Sequence, residues 1–143
     1  MISVKTGQLT DAINVSNKIP EFERPYKRDE YKKRLSGKHL ILTAYINDEP
    51  VGFKVGYDRF NDGSFYSWMG GVLPRFRKMG VAQLLLAEQE AWAVQNGFSA
   101  IKLKTRKKHG AMLEFSLKRG FVIMEKIPKI PENETRIWME KEL

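Results

Sequence analysis

The sequence predicts one α+β domain built around a single, mostly antiparallel sheet. Three observations carry this. From His39 to Leu73 the chain runs through three strand-like segments joined by turns of a few residues, the pattern of an antiparallel meander. Gly80 to Asn96 then reads as one long helix, with strand and helix segments alternating on both sides of it. A length of 143 residues, 42% of them apolar, suits a single domain with a sizeable core spanning 1–143.

The elements follow in order. Met1 to Lys5 alternates loosely and suits a first strand. Thr10 and Asp11 can cap a helix running towards Ile19, where Pro20 limits it. Two prolines, Pro20 and Pro25, stiffen the connection that follows, and Asp29 to Leu35 is a short charged helix closed by Gly37. His39 to Ile46 is rich in strand formers and ends in the turn Asn47–Pro50. Val51 to Phe60 alternates around Phe53, Val55 and Tyr57, and Asn61–Ser64 makes a second turn. Phe65 to Leu73 is a strand stopped by Pro74. In the long helix Val81, Leu84, Leu85 and Trp92 share a stripe, and Gly97 sits where a C-terminal glycine belongs. Ser99 to Thr105 is again a strand, Gly110 to Arg119 a helix stopped by Gly120, and Phe121 to Met124 a strand. After the Pro128–Pro131 loop, Thr135 to Glu140 closes the chain as the seventh.

Composition narrows the chemistry. The absence of cysteine excludes a disulfide scaffold, a thiolate metal site and a cysteine nucleophile, and two histidines, His39 and His109, make a histidine-rich metal site a poor expectation. Twenty-five Lys+Arg against 17 Asp+Glu leave a net charge of +8, a surplus that attracts polyanions: nucleic acid, an anionic membrane or a phosphate-rich cofactor. No apolar run approaches the ~18 residues of a membrane helix, and the first residues lack a secretory core, so a soluble cytoplasmic protein without a membrane partner is expected.

The sharpest feature is Val72-Leu73-Pro74-Arg75-Phe76-Arg77-Lys78-Met79-Gly80-Val81-Ala82. A strand ends at a proline, a basic turn follows, and a long helix begins at a glycine. The first N–H groups of a helix lack partners and its dipole favours negative charge there, while Gly80 lets an anion approach the backbone. Arg77 and Lys78 stand beside this phosphate cradle. Read from the residues alone, an ordinary strand–helix corner with solvated arginines fits equally well. The segment is neither a Walker loop nor a dinucleotide fingerprint.

Arg77-x-x-Gly80-x-Ala82, after a strand ending Gly71-Val72-Leu73-Pro74, resembles the Arg/Gln-x-x-Gly-x-Gly/Ala signature of the GNAT acyl-CoA N-acyltransferases. The likeness extends through Ala100–Thr105 and through Met112 to Phe121, which is similar to the family's helix ending in Lys-x-Gly-Phe. The resemblance implies the GNAT fold: a mixed, mostly antiparallel sheet of six to seven strands, helices on both faces, and a splay between the fourth and fifth strands. It implies that acetyl-CoA is the co-substrate, with no metal. Its pyrophosphate would lie on the backbone of Arg77, Lys78, Met79, Gly80, Val81 and Ala82. The pantetheine arm would lie in the splay against backbone groups of Gly71, Val72 and Leu73, since a strand that stops pairing leaves N–H and C=O groups needing partners.

Two positions depart from the family. His109 stands where members often carry an asparagine that bonds the arm, and Ser116 where many carry a tyrosine that protonates the leaving thiolate. A surface histidine is the plainer reading of His109. A water, Tyr66 or unassisted departure would then replace the phenol. The fourth strand has no carboxylate to act as base; Glu21 and Glu23 remain, on the loop where the family's acceptor site forms. Glu21, beside Phe22, is the candidate base, with a pKa raised by partial desolvation. The plainer alternative is that both are solvated loop acids.

Lys102 and Lys104 alternate with Ile101 and Leu103 as the wet face of a strand. Arg106, Lys107 and Lys108 are a solvated run, or would meet the 3′-phosphate or nucleic acid. Tyr66 and Trp68 share one strand face, Phe65 and Ser67 the other, and one pair is expected to wall the acceptor pocket. The expected activity is transfer of acetyl from acetyl-CoA to a primary amine by direct attack in a ternary complex. The alternative is a non-catalytic acyl-CoA-binding or basic nucleic-acid-binding module, of which nucleic acid has no supporting motif. The acceptor stays open between small-molecule and peptide amines, and a homodimer is consistent with the family.

Overall fold

In the computed structural model, which describes residues 1–143, the chain runs β1 (Ile2–Thr6), α1 (Leu9–Ser16), α2 (Arg28–Arg34), β2 (His39–Ile46), β3 (Glu49–Tyr57), β4 (Ser64–Val72), α3 (Val81–Gln95), β5 (Ala100–Arg106), α4 (Gly110–Lys118), β6 (Val122–Ile127) and β7 (Arg136–Glu142). The expected order holds throughout, with two short 3-10 turns added, Pro74–Phe76 and Glu132–Glu134.

Several boundaries differ for local reasons. Thr10 and Asp11 do not cap α1. Gln8 precedes the helix without a side-chain bond, and Asp11 instead accepts from the Tyr45 hydroxyl at 2.5 Å. α1 stops at Ser16, short of Ile19. The Ser16 hydroxyl bonds back to the Ile13 carbonyl, and the N–H groups of Lys18 and Ile19 tighten into steps of three residues. β3 takes in Glu49 and Pro50 because Asn47 and Asp48, at φ +49° and +64°, turn the chain in two residues. It ends at Tyr57, leaving Phe60 to pack its ring on Tyr66 and Trp138.

The sheet order is β1-β2-β3-β4-β5-β7-β6, antiparallel at every neighbour except β4–β5. That pair is parallel because α3 forms the crossover between its strands. One core packs on each face. On the α3 and α4 face it includes Leu42, Phe65, Val81, Leu85, Ile101 and Met139. On the α1 and α2 face it includes Val15, Tyr31, Phe53, Val55, Tyr66 and Trp68. The buried stripe of α3 is Val81, Leu85, Leu86, Gln89 and Ala93; Leu84 and Trp92 are only half-buried, and Gln89 brings an unpartnered amide into the core. No helix is long and apolar enough to cross a membrane.

Candidate active site

β4 and β5 pair only over Ser64–Tyr66 and Ala100–Lys102, then part. The remainder of β4, from Ser67 to Val72, borders an open split. On its other edge β4 stays laddered to β3 through Val72, with a bulge: Gly56 lies opposite Ser67 and Val55 opposite Met69, so Trp68 is the extra residue. Leu73 continues that ladder, donating its N–H to the Val51 carbonyl at 2.8 Å, and its own carbonyl accepts from Phe76. Antiparallel alternation therefore turns the backbone of Leu73 and Gly71 towards β3 and that of Val72 and Gly70 into the split. This corrects the expectation that Gly71 and Leu73 offer backbone groups to an arm there. Val72 keeps that capacity and Gly70, which sequence reasoning missed, gains it. Only the ladder phase, reset by the bulge, reveals this.

Gly71 is held to glycine by the other face: an added Cβ would lie 2.5 Å from the side chain of Ile19, three residues past the end of α1.

Past Val72 the chain makes the 3-10 turn and enters α3 through Gly80. Gly80 has φ +89° and open space where a Cβ would point; Lys78 is also left-handed, at φ +62°. Leu84 donates to the Gly80 carbonyl, so the N–H groups of Val81, Ala82 and Gln83 precede the first helical bond. Met79 and Lys78 are exposed. Backbone donors, a positive helix end and basic neighbours thus meet at the mouth of the split, an arrangement that fits a pyrophosphate.

The loop between α1 and α2 straps this mouth. Glu21 receives two bonds from the Arg77 guanidinium, both 2.9 Å, while Arg77 Nε donates to the Val72 carbonyl at 3.0 Å. Glu23 reaches Lys108 Nζ, beyond the end of β5, at 3.4 Å. One ion pair therefore anchors the loop on each side of the split. The expected rise in the Glu21 pKa is overturned. The bond from Arg77 holds its carboxyl below the usual range and outweighs the opposing effect of partial burial.

His109 precedes α4 without capping it through its side chain. Burial, then the charges of Arg106 and Lys108, lower its pKa, so the imidazole is neutral at pH 7. Ser116 is buried on α4. Tyr66 is buried too, and burial raises its pKa, which keeps the phenol protonated. Tyr66 and Trp68 are the pair facing α1 and α2.

The basic run beyond β5 is already matched: Arg106 pairs with Glu134, Lys107 with Glu132, and Lys108 with Glu134 and Glu23. Lys102 and Lys104 lie, as expected, opposite the buried Ile101 and Leu103.

Lys54 was not singled out by the sequence. It pairs with Gly70 in the ladder, and its Nζ would lie 3.6 Å from a Cβ at Gly70. Burial pushes its pKa down to about 8.

Residues 8–121 match the acetyltransferase (GNAT) family. The chain belongs to this family. As a GNAT member it is an acetyl-CoA-dependent acyltransferase. No curated protein matches it. Among solved structures it is similar to the ribosomal-protein-S18-alanine N-acetyltransferase of Escherichia coli, at TM-score 0.84, 15% identity, and 99% and 94% coverage of this chain and that one. It is similar to Ard1 of Thermoplasma volcanium at TM-score 0.84 and 18% identity, covering 99% and 97%. A GNAT family acetyltransferase of Elizabethkingia anophelis with acetyl-CoA bound gives TM-score 0.78 and 16% identity, covering 99% and 98%. At these identities the likeness is one of fold, including the splay between the fourth and fifth strands.

Proposed function

We propose that this GNAT protein transfers the acetyl group of acetyl-CoA to a primary amine by direct attack in a ternary complex. The observation that supports it best is the juxtaposition of the β4–β5 split with the open N-terminus of α3. In this reading the backbone from Arg77 to Ala82 takes the pyrophosphate, with Arg77 and Lys78 flanking it. The pantetheine arm lies in the split. The Val72 N–H serves its amides, and the Gly70 N–H polarises the thioester carbonyl, where charge develops as the amine attacks. His109 and Ser116 line the α4 side. A structure of this fold with acetyl-CoA bound is consistent with the placement.

The amine loses a proton and the thiolate leaves. Glu21, ion-paired to Arg77, is a weak base, so its role here is to fix Arg77 and the strap rather than to strip the amine. Deprotonation passes to water, and the thiolate takes its proton from water as well, since Tyr66 stands four strand positions from Gly70. Rate enhancement then rests on positioning and backbone polarisation. With no carboxylate base the reaction favours amines that are already partly neutral. A peptide α-amine of pKa ~8 is neutral roughly one time in ten at pH 7, a lysine side chain about once in two thousand.

The test is steady-state thiol release from acetyl-CoA against a panel of amines. Turnover that rises with pH up to the acceptor's own pKa is expected; bound acetyl-CoA with no release against any amine would favour the non-catalytic alternative.

A further inference from the structure

The face of β4 turned towards α1 and α2 carries an aromatic wall with cations laid over it. The Arg59 guanidinium lies 4.9 Å from the Tyr66 ring centre and 5.7 Å from that of Trp138. Lys104 Nζ lies 5.3 Å from the Trp138 ring centre. The two cations stand where the strands begin to part: Tyr66–Lys102 is the last β4–β5 pair, and Lys104 is two residues beyond it.

Their surroundings set them apart from the neighbouring basic residues that hold acidic partners. Arg34 pairs with Glu30, Lys102 with Asp62 and Glu140, and Arg106 and Arg136 share Glu134. Arg59 and Lys104 have no carboxylate partner. Burial lowers the Lys104 pKa, followed by the positive charges of Arg59, Arg136, Arg34 and Arg106, so positive charge gathers at this spot although three of these arginines have acidic partners of their own. Beside Arg59 a cavity of about 560 Å³ is lined by Lys33, Arg34, Lys38, Tyr57 and Arg59, with Asp58 its one carboxylate. The strap covers the mouth end of this face through Arg77 and Lys108, which leaves the root of the split as the open approach.

We propose that the acceptor is an amine that also carries an anionic group, a carboxylate or a phosphate, seated between Arg59 and Lys104 against the Tyr66 and Trp138 rings. The inference rests on the acyltransferase reading above. The geometry sets a length: Gly70 lies four strand steps beyond Tyr66 on β4, roughly 10–13 Å. An amine at Gly70 and an anion at the root of the split are therefore about one extended tripeptide apart. Arg59 can meet an anion with a fork of donors, and ring faces behind it exclude water and strengthen the contact. The same field repels polycations, so it selects as well as binds.

The experiment compares kcat/KM for acetyl transfer to the α-amine of four tripeptide amides, Ala-Ala-Glu, Ala-Ala-phosphoserine, Ala-Ala-Gln and Ala-Ala-Lys. The glutamate and phosphoserine arms distinguish the two sources of charge. We expect at least one anionic peptide to exceed the glutamine peptide by about tenfold or more, with the lysine peptide lowest, and the preference to shrink as salt rises. In the Arg59→Gln, Lys104→Gln double variant the anionic-to-glutamine ratio should fall to about one while the affinity for acetyl-CoA, read by calorimetry, stays put. Equal or inverted preference in the wild type overturns the proposal, as does an unchanged ratio in the variant. Failure to turn over any anionic peptide while acetyl-CoA binds also overturns it. Loss of both acetyl-CoA binding and thiol release would instead take down the acyltransferase reading itself.

Discussion

On the α3 side of the split the binding surface is made of backbone. Free N–H groups at Gly70, Val72 and the start of α3 converge there, and they come from one continuous stretch of chain. On the α1 and α2 side it is made of side chains: Arg34 from α2, Arg59 from the β3–β4 connection, Tyr66 from β4, Lys104 from β5 and Trp138 from β7. A backbone site tolerates most side-chain changes and fails when a backbone conformation is lost. A side-chain site changes its preference one residue at a time. We propose that in this enzyme the first serves the co-substrate and the second the acceptor.

The variant that should break this contrast most sharply is Gly80→Glu. It places bulk and negative charge at the phosphate cradle, and measurable CoA binding by calorimetry should vanish. The left-handed φ of +89° adds strain of about 1 kcal/mol that a glutamate at a helix start would not otherwise bring. CoA binding within tenfold of wild type would mean that the loop does not hold the pyrophosphate.

Lys54 is the exception on the backbone-built side, a charged side chain buried beneath Gly70. Its pKa of about 8 against an ordinary 10.5 means that the folded state binds fewer protons than the unfolded state between those values. Stability attributable to this group therefore rises with pH across that window and is lowest below pH 8, where burying the charge costs up to about 3 kcal/mol. Lys54→Met should raise the melting temperature at pH 7 by about 5 °C or more and flatten the rise between pH 8 and 10. A melting temperature that falls would show that the ammonium has a stabilising partner.

Glu21→Gln should have the smallest effect. With Arg77 holding the carboxyl ionised throughout pH 6 to 9, Glu21 contributes no limb to the pH–rate profile, and kcat should change less than about threefold. A limb present in wild type and absent in the variant would restore Glu21 as the base.

Which parts were legible in the sequence follows the same division. The element order and the open start of α3 at Gly80 could be read because strand alternation, helix periodicity and the Arg77–Gly80–Ala82 spacing are local patterns. The Glu21–Arg77 bond joins residues 56 positions apart, and nothing near Glu21 announces it; its neighbour Phe22 pointed towards desolvation instead. The choice of Gly70 over Gly71 depends on a bulge at Trp68, which shifts the ladder by one residue and leaves no mark in the hydrophobic pattern. Lys104 reads as one more wet lysine until Arg59 and Trp138 are brought beside it.

The most direct test of the account is titration of the wild-type protein with CoA, dephospho-CoA and pantetheine by calorimetry. A backbone cradle for the pyrophosphate predicts one CoA site and at least about a hundredfold weaker binding of pantetheine. Dephospho-CoA should bind within about threefold of CoA, because Arg106, Lys107 and Lys108 are already matched by Glu132, Glu134 and Glu23. Absence of heat and of competition at millimolar CoA, or pantetheine binding as tightly as CoA, would contradict it.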